Sequence, residues 1–216
     1  MNLDVQDVFD ESSDVFRAEQ VAFDVVCAGD SLTGWCNVGP AESWPYPCYP
    51  EFLQALCEPL GLKVANCGLA GEISDEGVRQ VRDYLKLFTT AKFFPLCYGA
   101  NDLDDSDDHE ATSSRILANL GHMVQFVWKR GRQPIVLDIP DVNGRLFPAD
   151  MLQAARAARS YHNARLKQFC QDLDIPLAVI SGCLGDGHFG DACHPNAEGA
   201  RIIAGIVFDV LIRCAG

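Results

Sequence analysis

The sequence predicts an α/β protein built on a parallel sheet with helices on both faces. Three observations carry this. Short apolar runs alternate with stretches of helical period five times along the chain. The first three runs stop at glycine turns, at Gly29, Gly68 and Gly99. The chain has 216 residues, 48% hydrophobic and 22% charged, which suits one globular domain with a sizeable core. No repeat or linker divides it. Residues 21–216 are therefore expected to form a single domain behind an acidic lead-in, residues 1–20.

In the lead-in, Val5, Val8 and Phe9 fit at most a short helix. Val21 to Ala28 reads as the first strand. Thr33 to Pro50 is a long irregular loop carrying Gly34, Gly39, Pro40, Pro45, Pro47 and Pro50, and long loops in compact domains are commonly functional. Trp35 in that loop suits a substrate pocket as well as it suits packing; Trp44, Tyr46 and Tyr49 are read as packing residues. Phe52, Leu53, Leu56 and Leu60 follow helical spacing until Gly61. Leu62 to Cys67 is the second strand, and a helix runs through Val78, Val81, Tyr84, Leu85 and Phe88. Phe93 to Tyr98 is the third strand, although Pro95 is awkward for a central one.

The acidic run Asp102 to Glu110 reads as a solvated loop with acids placed ahead of the next helix; a calcium loop would want a glycine it lacks. A helix from Ala111 to Lys129 follows, then strand Ile135 to Ile139, a helix from Met151 to Leu173 and strand Leu177 to Ile180. The glycine-rich loop Ser181 to Asp191 leads to His194-Pro195, and a last helix spans Asn196 to Ile212.

A net charge of −13 argues against non-specific binding to nucleic acid or to an anionic membrane, because both need clustered Lys and Arg. The ten cysteines form no Cys-x-x-Cys pair, and several sit in apolar runs where a thiol behaves as a small hydrophobe. No basic segment precedes an apolar core near the N-terminus, and no apolar run is long enough to span a membrane. A cytoplasmic protein with reduced thiols is expected. Nothing in the sequence encodes the oligomeric state.

In a parallel sheet the strand C-termini share one edge, and ligands bind there. Ser31 lies just beyond the first strand, placed to act as a nucleophile if a base reaches it. Gly, Asp and Ser are also ordinary turn residues, so Gly29-Asp30-Ser31-Leu32 alone says little. Gly68 and Asn101 follow the second and third strands, and Asp191 and His194 lie near the C-terminus. These types meet the needs of acyl transfer: a serine, a histidine to take its proton, an acid three residues before it to orient the ring, and donors for an oxyanion. The N–H groups of Ser31 and Gly68 and the Asn101 amide are the candidate donors. Asp186-x-His188 is a rival pair in the same loop, and Cys193 a rival nucleophile in the wrong place. His109, His122 and His162 lie in or beside helices, read as surface or helix-face residues, and are assigned no role.

The ordered set Gly29-Asp30-Ser31-Leu32, Gly68, Gly99-Ala100-Asn101-Asp102 and Asp191-x-x-His194-Pro195 resembles the four blocks of the GDSL, or SGNH, hydrolases. The resemblance spans residues 29 to 194. It implies a three-layer, flavodoxin-like fold with a five-stranded sheet and a serine esterase using neither metal nor cofactor. It implies Ser31 as nucleophile and first oxyanion donor, Gly68 and Asn101 as further donors, His194 as base and Asp191 as its orienter. It also points to a structural part for Asn163. Pro95, Cys97 and the acidic stretch Glu72 to Gly77 depart from the pattern.

A small-molecule ester is the expected substrate, with short acyl chains favoured because the inserts leave little chain for a lid. A carbohydrate O-acetylesterase, a thioesterase or an acyltransferase would use the same residues. A binding module of this fold without catalysis is the alternative from another class. A flavodoxin-like cofactor carrier fits less well, since the first turn matches no phosphate-binding fingerprint.

Overall fold

A computed structural model describes residues 22–34, 45–104 and 108–215. The acidic lead-in, Trp35 and Trp44 lie outside these residues. The sheet has five strands: β1 (Val25–Gly29), β2 (Val64–Gly68), β3 (Phe93–Cys97), β4 (Gln133–Leu137) and β5 (Leu177–Ala178). All pairs are parallel and the spatial order is β2-β1-β3-β4-β5. Helices α1 (Ser31–Gly34), α2 (Tyr49–Cys57), α3 (Ser74–Leu87), α4 (Ala100–Asp104), α5 (His109–Lys129), α6 (Leu152–Asp172) and α7 (Ala197–Ala215) connect and close it.

The chain steps one way from β1 to β2 and the other way thereafter. Right-handed crossovers then place α2 on one face and α3, α5 and α6 on the other. Accordingly, α2 packs against α7, while α5 packs against both α3 and α6. Because both faces are covered, β1 and β3 are buried at every position and read as unbroken apolar runs rather than alternating ones.

Pro95 sits in the central strand after all. The ladder to β4 runs unbroken from Phe93 to Leu96, whereas the pairing with β1 steps from Val25–Phe93 to Ala28–Leu96 and passes over Pro95. The missing proline N–H therefore falls on the β1 side, where the ladder is already open. β4 begins and ends two residues before its apolar run, and β5 keeps only two residues of its run.

The acidic run proves to be only partly a solvated loop. Asp108 caps α5, its Oδ1 accepting the Ala111 N–H at 3.0 Å. Asp102 is buried instead and holds the start of α3: Oδ2 accepts the Ser74 N–H at 2.8 Å and Oδ1 accepts the Ser74 hydroxyl at 2.7 Å. Asp104 forms a bidentate pair with Arg159 of α6 at 2.8 and 3.0 Å. Of the two positions expected for it, His162 takes the helix face rather than the surface. It is fully buried between α5 and α6, Nδ1 lies 3.0 Å from the Ser113 hydroxyl, and burial pulls its pKa down to about 4.

Tyr49 opens α2 and is 1% exposed. Asn163 grips the chain leaving β4 by both backbone polar groups of one residue: its Oδ1 accepts the Ile139 N–H at 3.1 Å and its Nδ2 donates to the Ile139 carbonyl at 2.7 Å. That fixes Ile139 and Pro140 beside the carboxyl edge of the sheet.

Candidate active site

The segment before α7 is shaped by one carboxylate. Asp191 Oδ1 accepts the backbone N–H of Cys193 at 2.8 Å and of His194 at 2.7 Å, closing an Asx turn. The Gly190 N–H donates to the His194 carbonyl at 2.9 Å, and Phe189 bridges Pro195. Asn196 then caps α7 by accepting the Glu198 and Gly199 N–H groups. The second oxygen of Asp191 is left to face the imidazole, with Oδ2 2.8 Å from His194 Nδ1. On the far side of the ring, Nε2 lies 2.9 Å from Ser31 Oγ. Burial opposes charge on Asp191, but the two backbone N–H groups and the imidazole outweigh it and hold the carboxyl below its usual range.

Ser31 begins α1 directly after β1 and is 8% exposed. Asp30 builds the turn beneath it: Oδ1 accepts the Leu32 N–H at 2.9 Å and the Asp30 carbonyl accepts from Thr33 and Gly34. The Asp30 carboxyl is fully buried, its Oδ2 has no partner, and burial raises its pKa to about 7. Its folded-state pKa thus lies above the unfolded value. The folded protein keeps a proton that the unfolded chain has lost, so stability falls as pH rises from about 4 to 7. Asp30→Asn retains the Oδ1 acceptor without that proton. We expect the thermal midpoint of this variant to gain on wild type between pH 4 and pH 8; a constant difference would remove Asp30 as the titrating group.

Across the cleft, Asn101 in α4 donates Nδ2 to the Glu72 carbonyl at 2.7 Å, which ties the turn after β2 to the turn after β3. Gly68 ends β2 on the other side of Ser31. Its N–H donates to Asn66 Oδ1 at 3.1 Å, and it lies against α1, where an added Cβ would stand 2.3 Å from the Gly34 nitrogen. It is a packing glycine that lets α1 cross β2. Gly68→Ala is expected to lower stability by about 1–3 kcal/mol, read by chemical denaturation. Three residues on, Gly71 adopts φ +83° and lines the cleft with Ser31, Asn101 and His194. Gly68 ends the strand and Gly71 lies in the turn after it.

The family model for GDSL-like lipases and acylhydrolases matches residues 27–202. The chain belongs to that family. It is accordingly an ester-hydrolysing enzyme. Among solved structures it is similar to a carbohydrate acetylesterase from Sinorhizobium meliloti, at 18% identity and TM-score 0.71, covering 89% of this chain and 99% of that one. A lipolytic protein of the G-D-S-L family from Veillonella parvula matches at 18% identity and TM-score 0.68, covering 89% and 100%. A catalytic mutant of an acetylxylan esterase from Geobacillus stearothermophilus matches at 15% identity and TM-score 0.65, covering 89% and 96%. These likenesses show the shared fold. No curated protein matches the sequence. No helix among the described residues is long and apolar enough to cross a membrane.

Two spaces meet at Ser31 and His194 of this acylhydrolase. One is an apolar recess of about 10 Å³ lined by Leu32, Cys48, Tyr49, Pro195, Ala200 and Ile203. The other is a cleft of about 140 Å³ whose polar lining includes Asn101, Asp104, Asp141 and Arg159.

The rival residues of the sequence are occupied elsewhere. His188 Nδ1 accepts the Gly185 N–H at 3.0 Å, while Asp186 binds the Gly144 N–H and Arg145. Cys193 Sγ lies 3.6 Å from His194 Nδ1, the nitrogen that already faces Asp191. Burial pushes the Cys193 thiol up to about 11, so it stays protonated. The nine described cysteines all carry free thiols, six of them buried.

Proposed function

We propose that this acylhydrolase cleaves short-chain esters through an acyl-enzyme on Ser31, with His194 as base and Asp191 as its orienter. The observation that carries this is the hydrogen-bonded line from Asp191 through His194 to Ser31, at 2.8 and 2.9 Å. Asp191 holds the proton on Nδ1, which leaves the Nε2 lone pair for the Ser31 hydroxyl. Ser31 Oγ attacks the ester carbonyl as its proton passes to Nε2. The tetrahedral intermediate collapses, and the alcohol leaves with that proton. Water, deprotonated by the same nitrogen, then releases the acid and regenerates the hydroxyl.

The oxyanion donors are the Ser31 N–H, the Asn101 amide and the Gly71 N–H. Gly71 replaces Gly68 in this reading because it lines the cleft and no acceptor among the described residues takes its N–H. Asn101→Ala is expected to lower kcat by about 10²–10³-fold with a much smaller change in KM. An equal loss in KM alone would make Asn101 a binding group.

The apolar recess supports the short-chain preference, since its volume is about that of one water and admits a methyl group. A panel of p-nitrophenyl esters should show acetate preferred and a steep fall by butyrate; a maximum at long chains would contradict this. A second reading concerns the alcohol. The carboxylates and guanidinium along the cleft suit a hydroxylated leaving group, and two structural neighbours are esterases of acetylated carbohydrates. Release of acetate from an acetylated sugar, compared with p-nitrophenyl acetate, tests it.

A further inference from the structure

Three side chains of different ligand chemistry converge beside the proposed nucleophile. Asp191 offers a carboxylate, Cys193 a sulfur and His194 a ring nitrogen, and one ligand atom from each lies within 4.8 Å of the others. We propose that these three residues form an inhibitory site for a thiophilic divalent cation of the zinc type. The proposal rests on the reading of Ser31, His194 and Asp191 given above.

The geometry suits a tetrahedral ion. Zinc holds nitrogen and oxygen at about 2.0–2.2 Å and sulfur at about 2.3 Å, so the nitrogen-to-sulfur edge of its tetrahedron is about 3.6 Å. Cys193 Sγ and His194 Nδ1 are already 3.6 Å apart. The edge from Nδ1 to Oδ2 is shorter, at 2.8 Å, because a hydrogen bond now spans it. An ion there needs an opening to about 3.4 Å, which loss of the bridging proton favours. The Asx turn fixes all three residues on one short segment, since Asp191 Oδ1 keeps its two N–H donors while Oδ2 turns to the ion. Cys193 and His194 both line the open cleft, which gives an entry path and room for water as fourth ligand.

Binding and catalysis exclude one another. A cation at Nδ1 takes the lone pair opposite Nε2, so the ring carries its remaining proton on Nε2. His194 then donates toward Ser31 and cannot accept the serine proton. The balance is one thiol proton released to solvent for each ion bound, with the Nδ1 proton exchanged for one on Nε2. Burial disfavours the free Cys193 thiolate, but a coordinated thiol is deprotonated by the ion itself.

Cadmium is the direct probe, because its thiolate bond gives an ultraviolet charge-transfer band that does not depend on turnover. Chelator-treated enzyme should bind one Cd²⁺ per chain at this site, with the band present in wild type and in Ser31→Ala. Cys183→Ser, which removes an exposed thiol elsewhere, should keep both the band and the inhibition. In Cys193→Ser, the band should be lost and inhibition by Zn²⁺ should weaken at least about tenfold against that variant's own metal-free rate. Chelator should restore wild-type activity fully. A band or inhibition that survives Cys193→Ser overturns the site, as does the absence of any band in wild type. Those outcomes stand apart from the serine mechanism, which fails only if Ser31→Ala stays active.

Discussion

Ser31→Ala should leave a folded protein that no longer turns over esters, with kcat/KM on p-nitrophenyl acetate down by at least about 10⁴-fold. The hydroxyl is the only atom lost, and it is the one 2.9 Å from His194 Nε2. What survives is the proposed oxyanion donors and the cleft, and such groups by themselves sustain only a small fraction of a serine hydrolase's rate. Stability should change little, within about 1 kcal/mol, because one hydrogen bond is removed from a residue still 8% exposed and held by the turn around Asp30. Circular dichroism and a thermal melt of the same sample separate loss of chemistry from loss of fold. A variant that kept wild-type activity would show that another group attacks the ester. Cys193 is poorly placed for that, since its sulfur approaches His194 at Nδ1 and its thiol is pushed up to about 11.

The order of strands and helices was legible because parallel strands buried on both faces are apolar throughout, and their glycine ends punctuate the pattern. Strand limits were less so. Leu177 to Ile180 is apolar enough to be a strand along its whole length, but pairing ends where a neighbour ends, and the neighbour is not a local property. Pro95 sits in a central strand because the gap in pairing belongs to β1 and cannot be seen from β3. Asp102 and Asp104 looked solvated because a run of acids normally is. Their partners, Ser74 and Arg159, lie far along the chain in other helices. His162 was unreadable for the same reason, as its partner Ser113 sits on the neighbouring helix.

The candidate site was more legible than the fold around it, since its residues carry chemistry that few alternatives share. Asp191 and His194 are three apart, and an Asx turn brings them together without help from the rest of the chain. The glycines at the end of β2 are less easily read: Gly68 ends the strand and Gly71 follows it, and a glycine there has several uses. The close crossing with Gly34 claims the first, and a positive φ at the cleft wall distinguishes the second.

Asp191→Asn should be nearly as damaging as loss of the serine, at about 10⁴-fold in kcat, and for a different reason. The asparagine oxygen can still accept the N–H groups of Cys193 and His194, so the turn survives. Its amide nitrogen, however, would donate to Nδ1 where the carboxylate accepted. The ring would then carry its proton on Nε2, facing Ser31 with a hydrogen instead of a lone pair. Asp191→Ala removes the turn as well and should lose stability that Asp191→Asn keeps. The charge leaves a pH signature too. The carboxyl is held below its usual range, so its stabilising contribution is present above the unfolded pKa, near 4, and is lost as pH falls through the lower folded value. The thermal midpoint of wild type should therefore exceed that of Asp191→Asn at pH 7, with the gap closing below pH 4. If Asp191→Asn retained full kcat, the imidazole would be oriented without Asp191, and the hydrogen-bonded line through the ring would be structural rather than catalytic.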